Sequence, residues 1–152
     1  MKKIIFFILI LSFSSALAEN QNPKFSEITK NKDVSMYVDT NFWYDINKEK
    51  YSSILQVFNE PKQISGKSYS TIEIVFKFKC FPEYKIRIIS AYYHAQKPLG
   101  NELKILDDPV ETNIPTTPKW EDAKDKRTIM YSAINKTCKE HLVREIKKRQ
   151  DS

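Results

Sequence analysis

Hydrophobic and polar positions alternate most strictly between residues 71 and 80, where Ile72, Ile74, Phe76, Phe78 and Cys80 are set between Thr71, Glu73, Val75, Lys77 and Lys79. A period of two this regular predicts a strand with one face in a core and the other in water. Phe81-Pro82-Glu83 then turns the chain. Tyr84 to Tyr93 runs back with Ile86, Ile88, Ser90 and Tyr92 opposed to Lys85, Arg87, Ile89, Ala91 and Tyr93. These two segments predict a hairpin at the centre of a sheet. Upstream, Val34, Met36 and Val38 alternate with Ser35, Tyr37 and Asp39, a half-buried strand that extends toward Ile46. Tyr51 to Asn59 reads as the next strand, ended by Pro61, which has no N–H to give a ladder. Residues 59–68 read as a polar connection and Glu102 to Leu106 as a further short strand stopped by Asp107-Asp108-Pro109. The stretch 109–119, with Pro109, Pro115 and Pro118, reads as an irregular crossing loop.

From Asp122 or Asp125, either of which suits an N-cap, the period becomes helical. Met130, Ala133, Ile134, Cys138, Leu142 and Ile146 fall on or near one stripe. The pattern as a whole predicts an α+β fold: an antiparallel β-sheet of about five to six strands with a C-terminal α-helix packed on one face. Cys80 then lies on the apolar face of the central strand and Cys138 on the buried face of the helix. Packing one on the other brings the two sulfurs together.

The N-terminus follows a different rule. Lys2 and Lys3 precede an unbroken apolar run, Ile4 to Leu11, and Ala16-Leu17-Ala18 is a small-x-small sequence. Met1 to Ala18 is therefore expected to be a signal peptide cleaved between Ala18 and Glu19. The apolar run is too short for a bilayer span, and a lipoprotein would need cysteine where Glu19 stands. The expected organisation is a signal peptide at 1–18, a polar leader or at most an edge strand at 19–33, a domain at 34–138 and a charged helical tail at 139–152. An exported chain of this kind belongs in the periplasm, outside the cell or on its surface, and is not a lipoprotein.

Composition adds exclusions. Apolar residues make up 41% of the chain, with 2 glycines and 2 cysteines, which excludes disorder, collagen and a cysteine-dense knot. Removing Lys2 and Lys3 lowers the formal net charge from +6 to +4, too mild for nucleic-acid binding. An even cysteine count in an exported chain argues for a disulfide, Cys80 to Cys138. The rival is a metal site built on Cys138 and His141 with Glu140 adjacent, but a lone Cys-x-x-His lacks a second ligand pair.

Catalytic patterns are missing. The histidines are His94, beside Tyr92 and Tyr93 at a strand end, and His141; no Gly-x-Ser-x-Gly elbow is present. Gly66-Lys67-Ser68 lacks the preceding glycine of a phosphate loop. Asp33, Asp45 and the Asp107-Asp108 pair suit turns. Asn135-Lys136-Thr137 is a formal glycosylation sequon inside the helix. The expectation is no enzyme and no cofactor. Aromatics cluster early, at Tyr37, Phe42, Trp43, Tyr44 and Tyr51, where they suit cross-strand packing or, if exposed beside lysines, recognition of a protein or polysaccharide. Lys147, Lys148 and Arg149 complement the helix macrodipole, or meet an acidic surface such as anionic lipid.

Several of these residues stand in a familiar order: Tyr37-Val38-Asp39 in an early strand, Gly66-Lys67-Ser68-Tyr69-Ser70 leading into the central strand, then Cys80, Tyr92-Tyr93, Gly100, Trp120 and Cys138. In this the chain resembles the surface-adhesin protein E-like domain of bacterial exported proteins, over residues 34 to 138. The resemblance implies a small α+β domain with a helix on an antiparallel sheet and no catalytic residues. It also implies a protein partner, either a host matrix protein such as vitronectin or laminin, or plasminogen. The chain departs from the pattern in lacking a lipid-attachment cysteine and in extending past Cys138. The alternative is a periplasmic accessory or structural protein that contacts an envelope protein through its C-terminal helix. For the binding module, Lys67, Lys85, Arg87 and exposed tyrosines are the candidate contacts, and exposed sheet edges admit a homodimer.

Overall fold

The structure, a computed structural model, describes residues 24–151; the expected signal peptide and its Ala18/Glu19 cleavage position lie outside the described residues. Eight strands and one helix follow in order: β1 (Phe25–Lys30), β2 (Val34–Asp39), β3 (Trp43–Tyr44), β4 (Lys50–Ile64), β5 (Lys67–Lys79), β6 (Lys85–His94), β7 (Glu111–Asn113), β8 (Glu121–Asp122) and α1 (Ile129–Gln150). The strands make one antiparallel sheet in the order β1-β2-β4-β5-β6-β7. β3 pairs with the start of β4, and β8 with the start of β6. This is the α+β architecture that the hydrophobic pattern predicts, with β4, β5 and β6 at its centre.

β5 keeps its strict alternation. Phe76, Phe78 and Cys80 are buried on the side of the sheet that meets α1, where Val38, Phe42, Ile54, Ile86, Ala133, Ile134 and Cys138 complete the core. Each fully buried Phe, Ile or Val side chain there contributes about 1.5–3 kcal/mol. β6 departs from the expected phase. Val75 pairs with Ser90 but Phe76 with Ile88, so Ile89 is an extra residue, and the bulge turns the strand over. Ile86 and Ile88 pair with Phe78 and Phe76, while beyond the bulge Ala91 and Tyr93, rather than Ser90 and Tyr92, pair with Ile74 and Ile72.

Pro61 does not end the strand before it. β4 runs through it to Ile64, and the register with β5 shifts between Val57 and Lys62, so the proline sits in an irregular stretch where its missing N–H costs no ladder bond. What reads as a polar connection is a tight hairpin. Ser65 and Gly66 both have positive φ (50° and 75°), as a two-residue hairpin loop between Ile64 and Lys67 requires. β1 realises the edge strand at the end of the polar leader, with a bulge at Ile28 that packs this residue against the core. Glu102 to Leu106 makes only a bridge between Leu99 and Lys104, whereas the proline-rich crossing contributes β7.

The helix begins later than either aspartate suggests. Asp122 is taken by β8, and Thr128 is the N-cap: its Oγ1 accepts from the Tyr131 N–H (3.1 Å) and donates to the Asp125 carbonyl (2.8 Å). Its buried stripe is narrow, comprising Ala133, Ile134, Thr137 and Cys138. Leu142 and Ile146, expected on that stripe, are 51% and 48% exposed. The second half of α1 is held by polar side chains instead. The Arg144 guanidinium lies 4.7 Å from the Phe42 ring centroid and donates to the Thr40 carbonyl, and the His141 ring meets Phe42 edge-on. Cys80 and Cys138 are joined as a disulfide, with their Cα atoms 5.6 Å apart, tying the end of β5 to the middle of the helix.

Candidate functional site

One end of the sheet, where β4 and β6 begin and β5 ends, gathers most of the unusual chemistry. Pairing across four neighbouring elements places Trp43 opposite Tyr51, Tyr51 opposite Lys77, and Lys77 opposite Arg87. Residues directly opposite in an antiparallel sheet share a face, so these four side chains form one row. Trp43 stacks on Tyr51 at 6.1 Å, and the Lys77 ammonium lies 4.8 Å from the Tyr51 ring. Arg87 and Lys79 both face Trp120, which precedes β8, at 5.0 and 4.5 Å. Cations held over aromatic rings in this way gain about 0.5–2 kcal/mol each, more where water is excluded.

Two acids fix the row. Glu49 pairs with Lys77 and lies 3.8 Å from Arg87, and Asp45 lies 3.7 Å from Lys77. The hydrogen bond to Glu49, followed by that to Tyr51, raises the Lys77 pKa against the opposing effect of burial. Burial works to raise the Asp45 carboxyl, but the Glu49 N–H, the Tyr51 hydroxyl, the Asn47 N–H and the Lys77 charge together hold it below the usual carboxylate value. The turn between β3 and β4 is built by the same aspartate, whose Oδ1 accepts from the Asn47 and Glu49 amides at 2.9 and 2.8 Å.

Beside this row opens a cleft of about 280 Å³ lined by Lys48, Glu49, Lys50, Phe78, Lys79, Cys80, Phe81 and Trp120. Its positions come from the turn before β4, the end of β5, the hairpin tip and the crossing before β8. Lys48 and Lys79 take part in no ion pair among the described residues. Lys50 Nζ lies 2.7 Å from His141 Nε2, a contact in which the ammonium donates to the ring nitrogen. Burial lowers the pKa of Lys50, opposed by Glu145, and burial together with the Lys50 charge lowers that of His141. Phe81, at the hairpin tip, is 76% exposed.

The residues named from sequence as contacts do not converge. Lys85 pairs with Asp122 (3.7 Å) at the cleft end, and Arg87 stacks on Trp120. Lys67 lies at the opposite end of β5, donating to the Val110 carbonyl (2.7 Å) beside Glu111. Lys48, Lys50, Lys79 and Phe81 carried no signal of their own in the sequence, and Trp120 entered only through the resemblance. Of the early aromatics, Phe42 is core, whereas Trp43 and Tyr44 are 37% and 43% exposed.

The other sequence candidates have structural roles. Cys138 is bridged to Cys80, so its sulfur is not available to the Cys-x-x-His metal arrangement, and no group of three metal-ligating side chains occurs among the described residues. His94 is buried, with Nδ1 3.2 Å from the Asp107 carbonyl oxygen and 3.5 Å from its carboxylate, and Nε2 4.0 Å from Glu73. Burial raises the Glu73 pKa; the nearby His94 charge and a hydrogen bond from Ser53 act against it. Asp107 also accepts from the Gln96 amide, so His94 and Asp107 clasp the loop after β6 against the sheet. Asn135 of the sequon accepts from the Tyr84 hydroxyl at 3.2 Å, and Thr137 is fully buried.

No helix among the described residues is long and apolar enough to cross a membrane. No family model, curated protein or solved structure matches the chain.

Proposed function

We propose that the chain is an exported binding module whose contact surface is the cleft end of the sheet, with adhesion to a host matrix protein as its role. The observation that carries this reading is the convergence of Lys48, Lys50 and Lys79 with Phe78, Phe81 and Trp120 around one opening. Tryptophan is among the side chains that dominate interface energetics, the lysines supply charge that would steer an acidic partner, and the neighbouring row is held by Glu49 and Asp45. The resemblance to surface-adhesin protein E-like domains points the same way. Binding is favoured over catalysis because both cysteines are bridged and each histidine is engaged by the fold, His94 with Asp107 and His141 with Lys50.

The test is direct. Residues 19–152, immobilised, are exposed to vitronectin, laminin and plasminogen by biolayer interferometry over a range of ionic strength. The expected result is binding to at least one of them that weakens as salt is added. Absence of binding to all three at low salt refutes the adhesive role. Protease treatment of intact cells, followed by fractionation, tests surface access in parallel.

A second reading has its own support. Leu142, Val143 and Ile146 are each about half exposed on α1, an apolar patch that suits an envelope partner of a periplasmic accessory protein. Co-purification of one envelope protein, lost with Leu142→Glu and Ile146→Glu, would favour this over adhesion.

A further inference from the structure

The lining of the cleft is specific about its ligand. Of its four charged residues three are lysines, and the fourth, Glu49, already faces Lys77 and Arg87. An incoming anion therefore meets unspent positive charge. Lys50 already donates to His141 Nε2, and burial depresses its pKa, so a carboxylate arriving beside it adds a charged partner to a poorly solvated ammonium. The remaining walls are apolar: Phe78, Phe81, Trp120 and the bridged sulfur of Cys80. At about 280 Å³ the opening is large enough to take one bulky side chain.

We propose that the cleft binds a short acidic segment of a partner protein bearing one bulky apolar side chain, which enters between Phe78, Phe81 and Trp120 while flanking carboxylates meet Lys48, Lys50 and Lys79. This deepens the binding-module reading and rests on it. The exposed Phe81 at the hairpin tip lines the opening, an apolar surface whose removal from water on binding would contribute to affinity. On one wall Lys79 and Arg87 already hold the Trp120 ring, so little ordering cost remains there when the segment binds.

The experiment titrates residues 19–152 with four probes, following tryptophan fluorescence and heat: an acidic hexapeptide with one central phenylalanine, the same peptide with asparagine and glutamine for its acids, the acidic peptide with glycine for its phenylalanine, and a heparin oligosaccharide. The first should bind at low salt, and the neutral and glycine peptides roughly tenfold or more weakly. Lys48→Glu and Phe81→Ala, both at the surface, should each weaken the first peptide roughly tenfold with an unchanged urea midpoint. The proposal is overturned by no binding of the acidic peptide at low salt, by equal affinity for the neutral or glycine peptide, by indifference to both substitutions, or by tighter binding of the oligosaccharide. Matrix-protein binding measured in parallel separates the two levels. If it persists while the peptide fails, only the ligand class falls; if both fail, the module reading falls too.

Discussion

Replacing Cys80 and Cys138 together by alanine tests how the helix is kept on the sheet. The bridge spans 58 residues of sequence. In the chain-entropy treatment, a loop of this length closed in the unfolded state corresponds to about 4 kcal/mol of stability at 25 °C. The non-covalent hold of the helix on the sheet is of similar size: its buried stripe has one large aliphatic side chain, Ile134, with Ala133 and Thr137, worth about 3–4 kcal/mol by apolar burial. The double variant should therefore unfold in urea with stability reduced by about 4 kcal/mol and an unchanged native fold by circular dichroism. Its Tm should fall by roughly 10–20 °C for a domain of this size. The same loss should follow reduction of the unmodified protein, and alkylation of the unreduced, denatured chain should find no free thiol. A loss below about 1 kcal/mol would refute the reasoning, because the bridge would then be adding nothing that packing had not already secured.

Three further outcomes follow from single side chains. Phe76→Ala, at a fully buried core position, should cost about 3–5 kcal/mol in urea unfolding, and a loss under 1 kcal/mol would show that the sheet-helix layer is not the principal core. Thr128→Ala removes the acceptor for the Tyr131 N–H and should lower stability by about 1 kcal/mol, whereas alanine at Asp122, outside the helix, should leave helicity unchanged. Glu73 concerns pH. Its carboxyl is raised by burial, so the folded chain holds its proton above the point where the unfolded chain releases it, and the contribution of this group to stability falls as pH rises from the ordinary glutamate value through the raised one. Glu73→Gln should flatten that part of the stability-pH curve, and parallel curves for both proteins would exclude the effect.

What the sequence reveals and conceals follows from the range of the forces involved. β5 is legible because its alternation is a local consequence of one wet and one dry face. The phase change in β6 is not, since Ile86, Ile88 and Ile89 are equally apolar and only pairing with Val75 and Phe76 decides which is extra. β7 and β8 have no pattern because two or three residues are held by their neighbour rather than by propensity. Asp125 mimics a cap in the sequence but stands three residues before the real one, its carbonyl accepting from the Thr128 hydroxyl. The disulfide was readable from two long-range patterns that agree. The cleft was not, because residues from 48 to 50, from 78 to 81 and at 120 meet only once the sheet has formed.

The interruptions along the sheet have a further consequence for how any partner engages it. A protein that adds a strand to another needs a continuous run of free backbone donors and acceptors at an edge. Here β1 is broken by the bulge at Ile28, β7 is three residues long, and the part of β4 that projects beyond β2 contains Pro61, which has no donor to offer. Each interruption also blunts edge-to-edge association between copies. A partner of the proposed kind would have to engage side chains rather than the backbone of an edge.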